Sequence, residues 1–451
     1  MKKTFFLLLL AGLAIVGCVA TREVSIPLTE SNGIEEDEAE FLKLPVLPVD
    51  VSQIEYLDVE APEFKDGDFV NVPTFFDAVA KSWDMVQLDR IPTKRPYKFI
   101  YVTDLHIDGN RLFVTLALSF DDDCYPLQSR VHAIYTTGGK LVSLLGENIG
   151  ANVGRKKGGS TSGTGTEFRI PKNDTEYYTA TLSVDYQRKE VCLLDRNKLV
   201  RYDYDGNYQR TEVLGFNSNK GPHTVLHLND GSKAAYTSFE QNRPSEGFYL
   251  LDNENRPKVK APVFRNERIG GKDNMNISLR SDTIWELLPN MVVARYVYRG
   301  IEGLSDKSTS LPYWEKVNTV SIVDERYVYT EFCYTYQRIA ERQYKSRVLH
   351  MLYDRSTKRH VLWQKDRKNE PYTMKNVIQD CTLLCFTPDN QAVYSFYADD
   401  KWNLKKMLAY SLDKGSNNEK HYELSKREEE LIRSLKLDGG PVLFFVKLKK
   451  F

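Results

Sequence analysis

The sequence lacks an apolar run long enough to cross a membrane. Its longest apolar stretch, Phe5 to Val16, has 12 residues, whereas a membrane-spanning helix needs about 20. The sequence also lacks an excess of either charge, because 62 lysines and arginines face 62 aspartates and glutamates. Nucleic-acid binding depends on a basic surface that releases counterions from phosphates. The composition therefore predicts no nucleic-acid partner.

Cysteine is scarce and scattered, with six residues in 451. Cys381 and Cys385 lie in the run Val377 to Phe386, which we predict to be a strand. On an extended chain this spacing separates them by about 13 Å, too far for a disulfide or a shared metal ion. We expect the five cysteines that follow Cys18 to be small buried residues, namely Cys124, Cys192, Cys333, Cys381 and Cys385.

The motifs that carry catalysis are also missing. The chain has no Gly-x-Ser-x-Gly turn, no His-Glu-x-x-His motif and no P-loop. Many carboxylates are present, but spacing along the chain does not show which two face each other, as a glycosidase requires. We therefore predict no catalytic residue, no metal site and no cofactor.

Some polar motifs give weaker signals. His223 and His227 could share a zinc ion if they lay on a helix. The preceding Gly221-Pro222 favours a strand instead, on which the two imidazoles would stand about 13 Å apart. Asp203 to Asn207 and Asp121 to Asp123 lack the distal glutamate of a calcium loop. We interpret them as a hairpin turn and a solvated loop.

A glycine-rich stretch and an aromatic stripe are the remaining candidates. Gly146 to Gly165 includes Arg155 to Lys157, and its backbone amides could cradle an anion, although a flexible loop is the favoured interpretation. Phe332, Tyr334 and Tyr336 alternate on one face of a predicted strand. Such a face could stack on a sugar ring, but core packing between sheets is favoured.

The first eighteen residues have the pattern of a bacterial lipoprotein signal. Two lysines precede the apolar run, which ends in the lipobox Ile15 to Cys18. We predict a signal peptide over residues 1–17 and lipidation of the Cys18 thiol, with more than one acyl chain to give stable anchoring. Ordinary cleavage after Ala20 is the alternative. The expected location is the cell envelope, as an outer-membrane lipoprotein.

Residues 18–50 are predicted to be a lipidated tether. They contain the acidic run Glu35 to Glu40 and three prolines, a composition that buries little apolar surface. We expect this segment to act as a solvated spacer between the membrane and a folded domain over residues 51–451.

From residue 51 onwards, short apolar runs alternate with two kinds of turn. Tight breaks occur near residues 108, 187, 230, 281, 324 and 389, and their shortest spacing is 43 residues, typical of a four-stranded propeller blade. A second break, an Asp at a strand end followed by a polar turn, recurs at Asp203, Asp252, Asp354 and Asp413. We predict an all-β fold, a six-bladed β-propeller, with a β-sandwich as the alternative.

The end of the chain predicts one helix and a closing strand. A Ser-x-x-Glu capping box at Ser425 begins the helix, which Gly439 ends. The run Pro441 to Leu448 is expected to complete a blade begun at the other end of the domain. Its predicted partner is Met85 to Asp89 or the strand near Tyr101, and this pairing would remove exposed sheet edges.

Four segments resemble, in their order, the six-bladed β-propeller lipoproteins of Bacteroidota. Met85 to Asp89 is similar to the family's opening strand, and Lys140 to Gly146 to the strand before its glycine-rich loop. Asp282 to Glu286 is similar to its Asp-Thr-Ile-Tyr strand, and Gly440 to Leu448 to its closing strand. The loop Gly154 to Ser160 departs from the family's pattern. The resemblance implies the fold and export, and it supplies no catalytic residue.

Two functions are open on these grounds. The first is a binding or scaffold module, tied to the membrane through Cys18, that holds a glycan, a peptide or an envelope protein at the funnel of the propeller. The second is an envelope enzyme, a polysaccharide or peptidoglycan hydrolase or lyase, with its site in that funnel. The missing catalytic motifs favour the first.

Overall fold

The computed structural model of the chain divides into two units, residues 1–43 and 44–451. The structure describes residues 41, 43–60, 62, 64–65, 68–92, 99–119, 128–146, 181–195, 197–216, 222–237, 247–262, 276–278, 283–299, 313–338, 343–365, 373–395, 404–409, 423–436 and 439–451. The predicted signal peptide, Cys18, Asp121 to Asp123 and nearly all of Gly146 to Gly165 lie outside these residues. Within them, no helix is both long and apolar enough to span a membrane.

The first part of the larger unit supplies five short elements of β-structure and one helical turn. These are β1 (Val49–Asp50), β2 (Glu55–Asp58), β3 (Phe64–Lys65), β4 (Asp68–Phe69), α1 (Phe75–Ala78) and β5 (Ala80–Gln87). Three four-stranded antiparallel meanders follow. Blade 1 contains β6 (Phe99–Asp108), β7 (Arg111–Ser119), β8 (Gln128–Thr136) and β9 (Leu141–Leu145). Blade 2 contains β10 (Thr181–Asp185), β11 (Glu190–Asp195), β12 (Lys198–Asp203) and β13 (Tyr208–Val213). Blade 3 contains β14 (Thr224–His227), β15 (Lys233–Thr237), β16 (Gly247–Leu251) and β17 (Pro257–Lys260).

An irregular sheet and two further blades complete the unit. The irregular sheet contains β18 (Asn276–Ser278), β19 (Thr283–Leu287) and β20 (Val292–Arg299), joined by β1 and β2. Blade 4 contains β21 (Tyr313–Val323), β22 (Tyr327–Arg338), β23 (Gln343–Asp354) and β24 (Arg359–Gln364). Blade 5 contains β25 (Thr382–Phe386), β26 (Gln391–Ser395), β27 (Val442–Leu448) and β5. The helices α2 (Met374–Asp380) and α3 (Lys426–Ser434) lie before and within blade 5, and residues 404–409 are also helical.

Both kinds of predicted turn lie between consecutive strands of the sheets. Each of the six tight breaks lies between the first two strands of a sheet. Gly109 and Asn390 adopt positive φ there (56° and 61°), as tight hairpins require. The second kind of break joins the last two strands of a blade. In it, the carboxylate of Asp203, Asp252 or Asp354 accepts a hydrogen bond from the backbone N–H two residues later, at 2.8–3.0 Å, which stabilises the turn.

The all-β propeller prediction is confirmed, but the predicted number of blades is wrong. Five sheets are four-stranded blades, and the irregular sheet has only three antiparallel strands of its own. Its outer strand β20 pairs in parallel with β1, through Val49 and Val292, and with β2, through Tyr56 and Val297. These N-terminal strands occupy the edge at which a fourth antiparallel strand would pair.

The chain before blade 1 runs along the outer edges of successive sheets. Leu47 donates a backbone hydrogen bond to Lys260 on the edge of blade 3 (2.8 Å). Next, β1 and β2 pair with the edge of the irregular sheet. Further along, the backbone N–H of Gln364, on the edge of blade 4, donates a hydrogen bond to the carbonyl of Pro73 (3.0 Å). We call residues 45–87 the edge segment. The paired backbone therefore begins several residues before position 50, where the predicted tether ends.

The edge segment ends by closing the ring. β5 pairs antiparallel with β27, with Gln87 opposite Val442 and Val86 opposite Leu443. The prediction that the C-terminal strand pairs with Met85 to Asp89 is thus confirmed, and the pairing begins earlier, at Ala80. Blade 5 therefore contains strands from both ends of the domain, and β27 is paired on both of its edges, with β26 and β5.

The helices correct two further expectations. The helix predicted near the C-terminus is confirmed, with a capping box between Ser425 and Glu428 (2.7 and 3.3 Å), but it ends at Ser434 and other short helices exist. The run Val377 to Phe386 is not one strand. Its first part lies in α2, because Thr373 and Asn376 form a capping box and Val377 and Ile378 are buried against the core.

Five of the six interfaces between neighbouring sheets are apolar clusters. They join blade 1 to blade 2, blade 3 to the irregular sheet, the irregular sheet to blade 4, blade 4 to blade 5, and blade 5 to blade 1. Representative buried residues are Phe113, Phe248, Tyr298, Trp363 and Leu443. The sheets therefore form a closed ring, held mainly by hydrophobic burial.

The interface between blade 2 and blade 3 is built differently, from charges. Arg201 has a fully buried side chain that contacts Glu212 (2.6 Å), Glu190 (2.9 Å) and Asp185 (3.2 Å). Lys233 of blade 3 crosses to Glu212 (2.6 Å). Although burial opposes ionisation, Lys233 and Arg201 lower the pKa of Glu212 to about 2. A buried ion network therefore takes the place of an apolar cluster at this interface.

We expect Arg201→Met to destabilise the protein by about 3–5 kcal/mol, because it leaves three carboxylates near one another with too few cations. Arg210→Met is the matched control, since Arg210 pairs with Glu190 and Glu212 but is 43% exposed, and we expect it to cost less than about 1 kcal/mol. Urea unfolding followed by tryptophan fluorescence measures both. Equal losses in the two variants would contradict the structural role given to Arg201.

Candidate functional site

One face of blade 4 carries a row of polar and aromatic side chains. Glu331 on β22, His350 on β23 and Trp363 on β24 are register partners across three strands. Because side chains alternate between the two faces of a strand, Tyr329 lies on the same face as Glu331. This face packs toward blade 5.

A cleft of about 280 Å³ lies between this row and blade 5. Phe75 of α1 and Tyr394 of β26 add aromatic walls. The end of α2 and the start of β25 add polar lining groups, from Gln379 to Thr382. The strand register of blade 4 and the capping of α2 therefore place the two sides of the cleft.

His350 is held by contacts on several sides. Its ring stacks on Trp363 with centroids 5.4 Å apart and an interplanar angle of 12°. Its Nδ1 atom lies 2.9 Å from the Tyr329 hydroxyl and 3.7 Å from Glu331 Oε1. Its Nε2 atom is buried and has no hydrogen-bond partner. A buried polar atom without a partner is uncommon in proteins and calls for a specific explanation.

The protonation state of His350 follows from its surroundings. Burial lowers the pKa of His350 to about 4, and it outweighs the opposing charge of Glu331. The imidazole is therefore neutral at pH 7. A general base works best when its pKa is near the operating pH, so this histidine is better suited to accepting a hydrogen bond than to proton abstraction.

The outer part of the cleft is charged. The Lys365 ammonium lies 3.9 Å from Asp380, and these side chains are 37% and 55% exposed. Deeper in, the Glu331 and His350 side chains are 26% and 7% exposed. The cleft thus leads from a solvated ion pair to a buried neutral acceptor, with aromatic rings around it. Such a mixture of apolar walls and a few convergent polar groups is typical of small-ligand sites.

The residues singled out from sequence lie elsewhere. His223 directly precedes β14 and His227 is its last residue, which confirms the strand interpretation. Asp203 is in a hairpin turn. Phe332 is buried against Tyr298 (5.3 Å) on the opposite face of β22, which confirms core packing there. Side chains of Tyr334 and Tyr336 are outside the described residues.

Three of the five cysteines predicted to be buried have described side chains. The thiols of Cys192, Cys381 and Cys385 are buried, as expected. Cys381 caps α2 and lines the cleft, where its thiol donates to the Val377 carbonyl (3.3 Å). Cys18, Cys124 and the side chain of Cys333 are not among the described groups. Among the described residues, no group of three or more His, Cys, Asp or Glu could hold a metal ion.

A serine, a histidine and an aspartate meet at the blade 2–blade 3 interface. Ser183 Oγ lies 3.2 Å from His227 Nε2, and His227 Nδ1 lies 3.5 Å from Asp185 Oδ2. This connectivity is that of a hydrolase triad, but the serine is only 5% exposed and Asp185 also pairs with Arg201. The three residues belong to the buried polar network between the blades.

Sequence reasoning missed the cleft because its parts are far apart in the chain. Glu331, His350 and Trp363 become neighbours only through the register of β22, β23 and β24. One usable signal was a single histidine inside the apolar run of β23, since a buried imidazole needs a partner.

Comparison with known proteins supports the fold. No protein-family model and no curated protein matches the sequence. The crystal structure of an exported protein from Bacteroides fragilis aligns over 88% of this chain and 100% of that chain, with 14% identity and a TM-score of 0.51. The tricorn protease aligns over 65% of this chain and 28% of that chain, with 11% identity and a TM-score of 0.26. The first similarity shows a shared propeller fold, and the second is too weak to carry an argument.

We expect the pH dependence of stability to report His350. Its folded-state pKa of about 4 is below the ordinary value of 6.5, so the unfolded chain takes up the proton first as the pH falls. The contribution of His350 to the free energy of unfolding is therefore complete above pH 6.5. It is lost as the pH falls toward 4, by up to about 1.4 kcal/mol per pH unit. His227, with a pKa lowered to about 3 by burial, acts in the same direction.

His350→Gln is expected to reduce this loss, as measured by thermal unfolding midpoints between pH 7 and pH 4. The exposed His223→Gln serves as the control and should keep the wild-type profile. A His350→Gln profile parallel to that of the wild type would contradict the burial of a neutral His350.

Proposed function

We propose that this protein is a cell-envelope β-propeller that binds a small polar ligand, a glycan, in the cleft between blade 4 and blade 5. The observation that carries the proposal is the partnerless Nε2 atom of His350, a residue that lines a cleft with aromatic walls. Hydroxyl-rich ligands match such a site, because their donors can satisfy the imidazole while their C–H faces contact aromatic rings.

The size of the cleft favours a glycan over a protein partner. A volume of about 280 Å³ accepts a group of the size of one sugar residue. A stable protein interface instead buries about 800 Å² on each partner. A peptide could place one side chain in the cleft, but nothing in its lining selects a peptide backbone. A scaffold role would use other surfaces.

Binding is favoured over catalysis by the chemistry of the groups present. His350 has a pKa far below neutrality, and Ser183, which faces His227, is buried within the blade interface. A hydrolase or lyase needs an accessible acid–base pair with a pKa suited to its working pH. The described residues of the cleft supply recognition groups, and its buried imidazole is poorly matched to proton transfer at neutral pH.

The proposed location is the bacterial envelope, with a lipid anchor at Cys18. Support comes from the lipobox Ile15 to Cys18 and from the structural similarity to an exported protein of Bacteroides fragilis. The acidic tether would then connect the acylated cysteine to the edge segment, so that the propeller works near the outer membrane. Palmitate is a suitable second acyl chain.

Binding can be tested with a glycan array and the variant Thr382→Trp. Thr382 is exposed and lines the cleft, so an indole at this position fills the space. We expect the wild type to bind at least one glycan and the variant to lose affinity by tenfold or more. Thr211→Trp, at an exposed threonine of β13, should bind as the wild type does. An array without any binding would refute the proposal.

Anchoring can be tested separately with Cys18→Ala in the full-length chain. Removing the thiol removes the acceptor for the diacylglycerol, so the variant should leave the membrane fraction and enter the soluble fraction of the envelope. Metabolic labelling with an alkyne-tagged palmitate should mark the wild type and not the variant. A variant that stays in the membrane fraction would argue against the lipid anchor.

A further inference from the structure

We infer that His350 is fixed as the tautomer with its proton on Nδ1, so that Nε2 accepts a hydrogen bond from a hydroxyl or ammonium group of the ligand. The cleft would then select sugars that offer such donors and reject carboxylated sugars. The glycan ligand in this inference rests on the proposed function, whereas the tautomer of His350 does not depend on it.

The tautomer follows from the direction of the hydrogen bonds. Tyr329 donates its hydroxyl proton to Glu331 Oε1 at 2.6 Å. A phenol has a single proton, so toward His350 Nδ1, at 2.9 Å, the same oxygen can only accept. Nδ1 must therefore carry the proton. A neutral imidazole has one protonated nitrogen, which leaves Nε2 with a lone pair.

Packing keeps the ring in this orientation. The His350 ring lies nearly parallel to those of Trp363 and Tyr329, at centroid distances of 5.4 and 6.1 Å and interplanar angles of 12° and 21°. A 180° ring flip would put Cδ2 in the place of Nδ1 and Cε1 in the place of Nε2. It would therefore break the bond to Tyr329 and leave a second buried polar group unsatisfied. Nε2 therefore keeps its lone pair in one orientation, on a residue that lines the cleft.

The charges around the cleft also favour a neutral or cationic ligand over a carboxylate. Two carboxylates, Glu331 and Asp380, line it together with one ammonium group, that of Lys365. Lys365 already lies 3.9 Å from Asp380. A ligand carboxylate would meet an imidazole lone pair and like charges, whereas a hydroxyl or an ammonium group would meet acceptors.

Nuclear magnetic resonance of histidine-labelled protein tests the tautomer without any ligand. The chain has only seven histidines, and His350→Asn identifies the signal of His350. We expect the nitrogen shifts of a neutral ring protonated at Nδ1 at pH 7. A ring protonated at Nε2, or an imidazolium, would overturn the inference.

Ligand selection is tested with three matched sugars, glucose, glucosamine and glucuronate, by calorimetric titration. Glucuronate differs from glucose by a carboxylate at C6, and glucosamine by an ammonium group at C2. We expect glucose and glucosamine to bind at least tenfold more tightly than glucuronate. Equal or tighter binding of glucuronate would overturn the inference.

Two substitutions separate the roles of the ring nitrogens. His350→Asn places an amide near Nδ1 and keeps a donor toward Tyr329, but it leaves the Nε2 position empty, so we expect a tenfold or greater loss of affinity. His350→Gln reaches the Nε2 position with an acceptor and should stay within about threefold of the wild type. Unchanged binding by His350→Asn would refute the role of Nε2. If no sugar binds the wild type, here or on the array, the proposed function fails while the tautomer result stands.

Discussion

Backbone pairing by the edge segment is the constraint on which the rest of the structure depends. It pairs with the outer edges of blade 3, the irregular sheet and blade 4, and then becomes the outermost strand of blade 5. A ring of separate sheets is stable only when its two ends are joined and its exposed edges are satisfied. Here one continuous stretch of chain does both. It also explains the irregular sheet, because β1 and β2 occupy the edge where its fourth strand would lie.

The two kinds of interface within the ring have different physical consequences. Apolar clusters tolerate small adjustments, since burial of area is not directional. The buried ions of blade 2 and blade 3 require a particular geometry, because Arg201 must contact three carboxylates at once. Such a network gains stability only while every charge has a partner. It therefore fixes how these two blades are aligned, and it accounts for the buried Ser183, His227 and Asp185 without a catalytic role.

Local chemistry made much of the fold predictable. Turn residues such as Gly109 and Asp354 act within a few residues of their own position, so the hairpins and the closing strand could be located from the sequence. Three features depend on distant partners and could not be located in this way: the parallel pairing at β20, the helical start of Val377 to Phe386, and the cleft. The prediction of a strand through Cys381 was wrong because the Thr373 capping box outweighs the β-propensity of the residues that follow.

The position of the cleft follows from the alternation of side chains on β22. Phe332 faces the irregular sheet and completes an apolar cluster, whereas Tyr329 and Glu331 face blade 5. Phe332, from the aromatic stripe in the sequence, and the polar groups of the cleft thus lie on opposite faces of one strand. Packing of the first face holds the strand rigid, and rigidity is what lets the second face keep Tyr329, Glu331 and His350 in hydrogen-bonding distance. The binding specificity that we propose would therefore depend on the same strand register that stabilises the core.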